Sequence, residues 1–494
     1  MTDAVDVVIV GAGIAGLTAA VELGAAGLSV RVIEAALDVG GKAGVRMIDG
    51  VEVDTGPSVL TLPWVFEEVF ARAGRSFQEE VELLRPDPAF RYVFDDGVEL
   101  VLHHDLEQSF AEVKRTFGSD AERQFRAYLE HARAVWEAAA PHFVFAPAPR
   151  WSRLARLGPG EWARLLRIDP FSSLERGIDK RVREPHLRDL LRRFATYSGS
   201  DVRKAPGTLA CVAHVELGLG GFGVRGGIHA LALALARAAR GVGVEFELGR
   251  RVVEIEARSG RVNAVRCDDG RVVRSGHVVL NADASTLREG AFGRSLARAV
   301  LGPGGELSMS AYTGVIRARR RPRTAHAVLF PENYLQEFID IFDAGQVPVE
   351  PAIYLCAPEV AHGRRGWADE EPLFVMINAP AISVSHHEVE ASVVRERVLR
   401  RLRDRGLIES TDDFVWWRAP VDLAREFPGS QGAIYGSAVH GRWVAFNRPD
   451  NEPSGVGGLY LASGSAHPGG GVPLVAQSGK QAARAILGQR RLSA

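Results

Sequence analysis

The stretch Val5-Asp6-Val7-Val8-Ile9-Val10-Gly11-Ala12-Gly13-Ile14-Ala15-Gly16 joins a short β-branched run to three glycines in the spacing G-x-G-x-x-G. The run predicts a buried parallel strand, and apolar residues at helical spacing predict a helix from Ile14 to Ala26. A second strand is predicted over Ser29–Ile33. It ends at Glu34, where a carboxylate accepts hydrogen bonds from ribose hydroxyls. The stretch therefore predicts a β-α-β unit that binds a dinucleotide.

Each glycine of this loop has a distinct structural role in a dinucleotide-binding β-α-β unit. Gly11 permits the tight turn, Gly13 lets a pyrophosphate approach the backbone, and Gly16 lets the helix pack closely on the strand. The backbone amides of Ile14 and Ala15 then stand at a helix N-terminus, where an anion is stabilised. We expect all five residues to contribute to the nucleotide site.

Small residues beyond the acid favour a flavin over a nicotinamide. Asp38-Val39-Gly40-Gly41-Lys42-Ala43 places two glycines and a cation after the ribose acid, and Asp54-Thr55-Gly56-Pro57 follows. A backbone that passes the pyrophosphate toward an isoalloxazine ring needs small residues, and a lysine can offset phosphate charge or ring polarity. The expected FAD contacts in these two stretches are Gly41, Lys42, Gly56 and Pro57.

A second glycine-rich run, Gly469-Gly470-Gly471-Val472-Pro473, lies near the other end of the chain. It also has the form of a loop that opens a helix, so its amides can face an anion or a polar ring. Two such loops at opposite ends suggest a single large cofactor held by both terminal regions.

Composition and charge exclude several classes of protein. The 494 residues, 46% of them hydrophobic, are enough for two or three domains. Lys and Arg total 60 against 61 Asp and Glu, so no overall field favours nucleic acid. Three distant cysteines, Cys211, Cys267 and Cys356, fit a reducing compartment. With neither a signal-peptide pattern nor about 20 uninterrupted apolar residues, we expect a cytoplasmic protein that does not span a membrane.

Several stretches carry a resemblance to a known family. The first glycine loop with Glu34 and Gly40-Gly41-Lys42 looks like the nucleotide end of the amine-oxidase-like flavoproteins. More narrowly, the chain resembles the bacterial phytoene-desaturase-type carotenoid oxidoreductases along almost its whole length. The stretches that carry this likeness are Thr196-Tyr197-Ser198-Gly199 with Pro206, Glu216 with Val224 to Leu231, and Gly458 to Gly469.

Two further stretches narrow the resemblance. Arg193-Phe194-Ala195-Thr196-Tyr197 and Phe427 to Gly436 look closest to the branch of hydroxycarotenoid 3,4-desaturases and methoxyneurosporene dehydrogenases. The resemblance therefore implies oxidation of a C–C single bond in an acyclic carotenoid.

The resemblance also implies that FAD is held by a discontinuous domain. Val252 would meet the adenine through its backbone, and the stretch up to Asp283 would pass near the pyrophosphate. The final strand would lead to Gly464 and then to the helix near Pro473, a residue favoured at the first helical position. Ser465 stands where many relatives have an aspartate for the ribityl chain, and a hydroxyl can still donate or accept there. The FAD contacts implied in this way are Val252, Asn281, Asp283, Gly464, Ser465, Gly471, Val472 and Pro473.

The predicted fold combines α/β and α+β parts. A Rossmann-type FAD-binding domain is interleaved with a mixed-sheet substrate domain and a helical, membrane-facing domain. Strand-like runs such as Leu373 to Ile377 and an amphipathic helix at Val389 to Arg405 support the substrate domain. The predicted boundaries are 1–104, 206–300 and 446–494 for FAD binding, 105–205 for the helical substrate and membrane-association domain, and 301–445 for substrate binding.

One segment, Phe143 to Arg167, alternates tryptophan and leucine with five arginines against the single acid Glu161. This pattern is typical of a segment that lies in a lipid interface, and it equally fits a solvated helix packed on the core. A substrate dissolved in the membrane favours the lipid. We therefore expect a carotenoid partner and peripheral attachment to the cytoplasmic membrane.

The reaction implied by the resemblance requires little acid–base machinery. Loss of an allylic hydride to the flavin leaves a cation spread over the polyene, and a neighbouring proton then departs. An apolar tunnel that holds the chain against the ring would suffice. Glu216, Tyr197 and His467 are the candidates for a polar catalytic contribution, with a structural role as the alternative for each. No metal site is expected, since the adjacent pair His386-His387 has no further ligands at suitable spacing.

Other functions remain open from the sequence. The same fold can serve a phytoene desaturase acting in several steps, a redox-neutral carotenoid isomerase, or a lipid escort such as the Rab GDP-dissociation inhibitors. The retained Gly464 and Gly469–Pro473 favour a redox site over an escort, and nothing resembles the ammonium cage of an amine oxidase. Molecular oxygen and a membrane quinone both fit as electron acceptor, because no second nucleotide motif is found.

Overall fold

The computed structural model describes residues 3–150, 152, 155–166, 172–299, 305–383, 389–441 and 448–493. Within these residues the strands form five sheets. The strands are β1 Val7–Val10, β2 Val30–Ile33, β3 Val45–Ile48, β4 Val51–Asp54, β5 Leu83–Leu84, β6 Phe90–Val93, β7 Glu99–Leu102, β8 Gly223–Val224, β9 Glu245–Glu247, β10 Val252–Arg258, β11 Arg261–Cys267, β12 Val272–Arg274, β13 His277–Leu280, β14 Ser310–Arg319, β15 His326–Leu329, β16 Ile353–Cys356, β17 Glu370–Ala379, β18 Asp413–Arg418 and β19 Leu459–Leu461.

Helices surround these sheets. They are α1 Ile14–Ala25, α2 Trp64–Arg72, α3 Phe77–Glu80, α4 Leu106–Phe117, α5 Ser119–Phe143, α6 Pro159–Leu166, α7 Leu174–Arg181, α8 Pro185–Arg192, α9 Cys211–Ala213, α10 Ile228–Gly241, α11 Ser285–Arg288, α12 Tyr334–Phe342, α13 Pro358–His362, α14 Ala391–Asp404, α15 Pro420–Glu426 and α16 Val472–Ser493. Short segments of 3₁₀ helix cover Arg193–Ser198, Gly207–Ala210 and Arg294–Ala299, and a turn of π-helix covers His214–Gly218.

A five-stranded parallel sheet gathers strands from both ends and the middle of the chain. Its order is β19-β13-β1-β2-β9, and every neighbouring pair is parallel. All four residues of β1 are buried, as expected for a strand covered on both faces. Helices α1 and α16 pack so closely that a Cβ on Gly479 would lie 2.2 Å from the carbonyl oxygen of Ala15. The predicted β-α-β unit is thus present, with α1 ending one residue earlier than predicted.

A seven-stranded mixed sheet forms the second layer, in the order β18-β14-β17-β16-β15-β6-β7. Only β15 and β6 pair in parallel among its neighbours in the described chain. One face is covered by α14, whose buried Val394, Val398 and Leu402 join a core with residues of β14 and β17. Strands β6 and β7 belong to this sheet, whereas the sequence placed residues up to 104 with the FAD-binding part.

The helices between residues 106 and 192 share one core with β6, β7, β15 and α12. Phe125, Leu129 and Ala132 on α5 are buried against α4 and α8 residues such as Phe110 and Leu190. Within the described residues, none of the helices combines the length and the apolar character that crossing a bilayer requires.

Candidate active site

The loop between β1 and α1 has no room for side chains. Gly11 has a φ of 102°, which favours glycine, and Gly13 is the N-cap of α1. A Cβ on Gly13 or on Gly16 would lie 2.8 Å from Oδ1 of Asn281, the residue that follows β13. This oxygen is buried and has no hydrogen-bond partner among the described residues. The loop is therefore a bare backbone cradle at a helix N-terminus, the environment that a pyrophosphate needs.

Glu34 lies at the end of β2, on the neighbouring strand. Its carboxylate accepts hydrogen bonds from the amides of Ala12, at 2.6 Å, and Ala36, at 2.8 Å. The acid is thereby fixed against the glycine loop, beside Val252 at the start of β10, and all three border one cavity. This is where the dinucleotide fingerprint places the adenosine ribose.

The second predicted stretch lies directly over the first loop. Gly40 donates its amide to Ala12 O at 2.8 Å, and a Cβ on Gly41 would contact Gly13 Cα at 3.4 Å. A Cβ on Gly56 would lie 2.0 Å from Lys42 O, so this position also requires glycine. Pro57 follows at the cavity wall. Small residues therefore keep this side of the cavity open, as predicted.

Lys42 lines this cavity, and its side chain is exposed to it. Its Nζ donates to Ile434 O at 2.8 Å and lies 5.6 Å from the centre of the Phe427 ring. Burial lowers the pKa of the Lys42 ammonium, and the nearby Asp283 carboxylate opposes that change. The family-like stretch around Phe427 thus contacts the predicted FAD lysine.

The C-terminal loop completes the cradle. It leads from Gly464 to the start of α16 at Val472, where Val475 donates its amide to Gly471 O at 2.9 Å. The hydroxyl of Ser465 accepts from the Ala284 amide at 2.8 Å and shares a 2.9 Å hydrogen bond with Ser463. Ser465 therefore ties β19 to the segment after β13, and its hydroxyl is engaged within the protein.

These elements surround one cavity of about 1330 Å³. Every residue predicted to hold FAD lines it except Gly16, which packs behind the loop against Gly11 O. The same cavity continues along the second sheet, past apolar residues such as Val328, Phe374 and Met376. A polar cradle and an apolar chamber are thus one continuous space.

Two of the three catalytic candidates form a buried network. Arg193 Nη2 donates to Glu216 Oε1 at 2.7 Å and to Tyr92 OH at 3.2 Å, while Nη1 donates to Tyr197 OH at 3.2 Å. Tyr197 in turn donates to the other Glu216 oxygen. Burial raises the pKa of the Glu216 carboxyl, and Arg193 opposes that rise. Glu216 lies on the π-helical turn His214–Gly218, a conformation frequent at functional sites.

The third candidate, His467, is also at the cavity wall. Its Nε2 lies 2.9 Å from Ala146 O, and because a carbonyl only accepts, this nitrogen carries the proton. His467 thereby links the C-terminal loop to the residues that follow α5.

Residues without a motif also reach the cavity. Tyr354 OH on β16 hydrogen bonds to His326 Nδ1 at 2.8 Å and to Ser58 Oγ at 2.5 Å. Burial lowers the pKa of His326 to about 3, so its ring is neutral. Of Ser58, His326 and Tyr354, only Ser58 lies next to a stretch that the sequence predicts to contact FAD, Gly56-Pro57. Arg193 belongs to a family-like stretch, but the sequence predicts no role for its side chain.

Aromatic side chains border the cavity where α5 meets α6. Trp136 and Phe143 on α5 and Trp162 on α6 line it there, together with Val144. Trp151, Arg153, Leu154 and Arg167 of the predicted interfacial segment lie outside the described residues.

In the described part of the chain, no group of three or more His, Cys, Asp or Glu side chains is arranged to hold a metal ion. His386 and His387, the pair considered in the sequence, lie outside the described residues.

Comparison with known proteins agrees with this geometry. A family model described as flavin containing amine oxidoreductase matches residues 14–336. The chain belongs to this family. The flavoprotein is 36% identical to the hydroxyneurosporene desaturase of Rubrivivax gelatinosus, over 97% of this chain and 93% of that protein. It is 34% identical to the protein of the same name from Rhodobacter capsulatus over 99% of each, and 31% identical to the 4,4'-diapolycopene oxygenase of Methylomonas sp. over 96% of each.

Solved structures share the fold at low sequence identity. A putrescine oxidase double mutant superimposes with a TM-score of 0.64 at 17% identity, covering 99% of this chain and all of that one. Cyclohexylamine oxidase from Brevibacterium oxydans gives 0.58 at 17% identity over 99% of both chains. The flavoprotein therefore has the amine oxidase fold, belongs to the carotenoid desaturase group by sequence, and uses FAD as its cofactor.

Gly13→Val should abolish FAD retention, because its side chain would meet Asn281 and stand in the path of the pyrophosphate. The measurement is flavin content per chain after extensive dialysis. Gly276→Val is the matched control, since a Cβ there meets nothing within 4 Å and Gly276 lies away from the cavity. Full flavin content in Gly13→Val would contradict the assignment of this loop.

Proposed function

We propose that this flavoprotein desaturates acyclic carotenoids, forming the 3,4 double bond of a 1-hydroxy- or 1-methoxycarotenoid. The observation that carries the proposal is the single cavity in which the FAD cradle opens into an apolar chamber. The names and the near full-length coverage of the relatives support the same substrate class. The stretch Phe427 to Gly436, which suggested the hydroxycarotenoid branch, contacts Lys42 in the cradle.

Bound FAD supplies a two-electron acceptor for the hydride, and a proton leaves the neighbouring carbon as the double bond forms. The chain itself positions the polyene. Apolar side chains of β15 and β17 wall the chamber and exclude water, so a cation spread over the polyene is not trapped by hydration. Most of the catalytic effect would then come from holding the reacting carbon against the ring.

Glu216 and Tyr197 are the proposed polar contributors near the substrate. Both side chains line the cavity; Tyr197 is half-buried, and Glu216 is almost fully buried. Their hydrogen bond offers a route by which a substrate proton enters the network. His467 is the weaker candidate, because its Nε2 proton is engaged by Ala146.

We also propose that the protein is cytoplasmic and docks on the membrane that dissolves its substrate. The aromatic residues Trp136, Phe143 and Trp162 border the cavity beside α6, whose Arg164 is exposed, and Arg156 is exposed just before it. Such a pairing of rings and cations suits an interface with anionic lipids. Oxygen or a membrane quinone would then reoxidise the flavin.

Substrate choice tests the proposed branch. When phytoene and a 1-hydroxycarotenoid are supplied at equal loading in the same liposomes, the hydroxylated substrate should be converted at least about tenfold faster. A site that hydrogen bonds a tertiary oxygen rejects a hydrocarbon end strongly, because its polar groups are then left unpaired. Initial rates come from chromatography with mass analysis. Conversion of phytoene through several desaturations, with the hydroxylated substrate untouched, would identify a phytoene desaturase instead.

Membrane docking has a separate test. Arg156→Glu with Arg164→Glu should reduce cosedimentation with phosphatidylglycerol vesicles at least about tenfold, since each surface cation contributes about 1 kcal/mol. Arg258→Glu with Arg274→Glu, also exposed but on β10 and β12, is the control. Flavin content shows that each variant is folded. If the first pair pellets like the parent, the lipid surface is bound elsewhere.

A further inference from the structure

In the described part of the chain, three cations that line the cavity have no carboxylate partner: Lys42, Arg448 and, just before β10, the exposed Arg251. In the described part of the chain, neither Lys42 nor Arg448 has an acidic oxygen within 4.0 Å, although Arg side chains elsewhere in the fold commonly form ion pairs. Lys42 is exposed to the cavity and Arg448 is half-buried, and a charge withdrawn from water is costly unless an opposite charge or hydrogen bonds compensate it. The structure therefore holds positive charge at the cavity that the protein alone leaves unbalanced.

Arg448 is inserted into the C-terminal part of the cradle. Its Nη1 donates to Gly464 O at 3.0 Å and its Nη2 to Ser437 O at 3.3 Å. A Cβ on Gly469 would lie 3.2 Å from Arg448 Cζ and would press on the guanidinium, and the φ of 132° at this position also favours glycine. Burial lowers the pKa of Arg448 to about 10, which still leaves it charged at neutral pH. The backbone oxygens hold the side chain in place and leave part of it facing the cavity.

Asp283 is the acid whose charge acts on both cations. Its Oδ1 already accepts from the amide and the hydroxyl of Ser285, at 3.0 and 2.9 Å. The charges of Lys42, Arg448 and Asp283 sum to about +1. This part of the cavity therefore attracts an anion.

The order of the strands indicates which half of FAD reaches these cations. Glu34 follows β2 on one side of β1, while Gly464 follows β19, two strands away on the other side. The pyrophosphate cradle at Gly13 lies between them. The half of FAD that reaches Arg448 is therefore the half that carries the ring.

We propose that Arg448 binds the flavin end of FAD and supplies the positive charge that balances the reduced, anionic ring. Arg448 adds a side-chain charge to the positive end of α16, which points at the same region. The inference depends on FAD binding and not on the identity of the carotenoid, so it can fail or hold independently of the proposed substrate.

The test is the reduction potential of the bound flavin, measured with the FAD dissociation constant. Arg448→Gln should weaken binding of reduced FAD at least tenfold more than binding of oxidised FAD. That ratio corresponds to a potential about 30 mV lower for a two-electron couple. Arg448→Lys, which keeps the charge, should restore most of the difference.

A matched control is available in Arg401→Gln. Arg401 is also deep in the protein, donates to two backbone oxygens, those of Pro351 and Phe330, and lies away from the cavity. Its replacement should leave the potential unchanged. Asp283→Asn should raise the reduction potential of the bound flavin. If Arg448→Gln does not fold, this variant tests the proposal in its place.

An unchanged potential in Arg448→Gln, with FAD bound, would overturn the proposal. A loss of affinity equal for oxidised and reduced FAD would assign Arg448 to the pyrophosphate or to the fold, and would also overturn it. The proposal fails in the same way if Asp283→Asn leaves the potential unchanged or lowers it.

Discussion

The constraint on which this structure depends is the absence of side-chain volume where β1 passes into α1. Asn281 lies so close to Gly13 and Gly16 that a single added carbon would collide with its amide oxygen. The contact requires β13 to lie beside β1, and Asn281 donates in turn to Ala462 O at 2.6 Å, next to β19. One glycine loop therefore requires three distant parts of the chain to assemble around it, and their assembly brings the C-terminal loop to the cofactor.

The second feature of the site is the division of charge within one cavity. Lys42, Arg448 and Asp283 lie at the cradle, whereas Val328 on β15 and Phe374 and Met376 on β17 give the chamber apolar walls. Between them, Arg193 and Glu216 form a buried ion pair of 2.7 Å enclosed by aromatic rings, including Phe90 and Tyr197. Removing one partner of such a pair would leave the other charge uncompensated, at a cost of about 3–5 kcal/mol. This network is therefore a buried polar cluster beside the apolar chamber.

The sequence predicted those parts of the site whose chemistry is local. Gly11, Gly13 and Gly16 lie within one turn, and the spacing to Glu34 spans a single β-α-β unit, so motif and geometry coincide. The helix at 389–405 was likewise predicted from periodicity and is observed as α14. These are elements whose pattern is decided by neighbours a few residues away.

The parts that escaped prediction depend on contacts between distant residues. Arg448 lies in an irregular segment and acquires its role only through Gly464, Ser437 and Asp283. Tyr354 and His326 meet because β16 pairs with β15, and β6 and β7 joined that sheet through a parallel pairing that no short pattern encodes.

The measurement that tests the central claim most directly is a single turnover without oxygen. FAD-loaded protein is mixed anaerobically with a 1-hydroxycarotenoid in liposomes, while the visible absorbance of the flavin and the mass of the pigment are followed together. A desaturase predicts one flavin bleached for each double bond formed and a product lighter by two hydrogens. A rearranged pigment of unchanged mass, with the flavin spectrum returning to its starting state, would contradict desaturation and identify an isomerase.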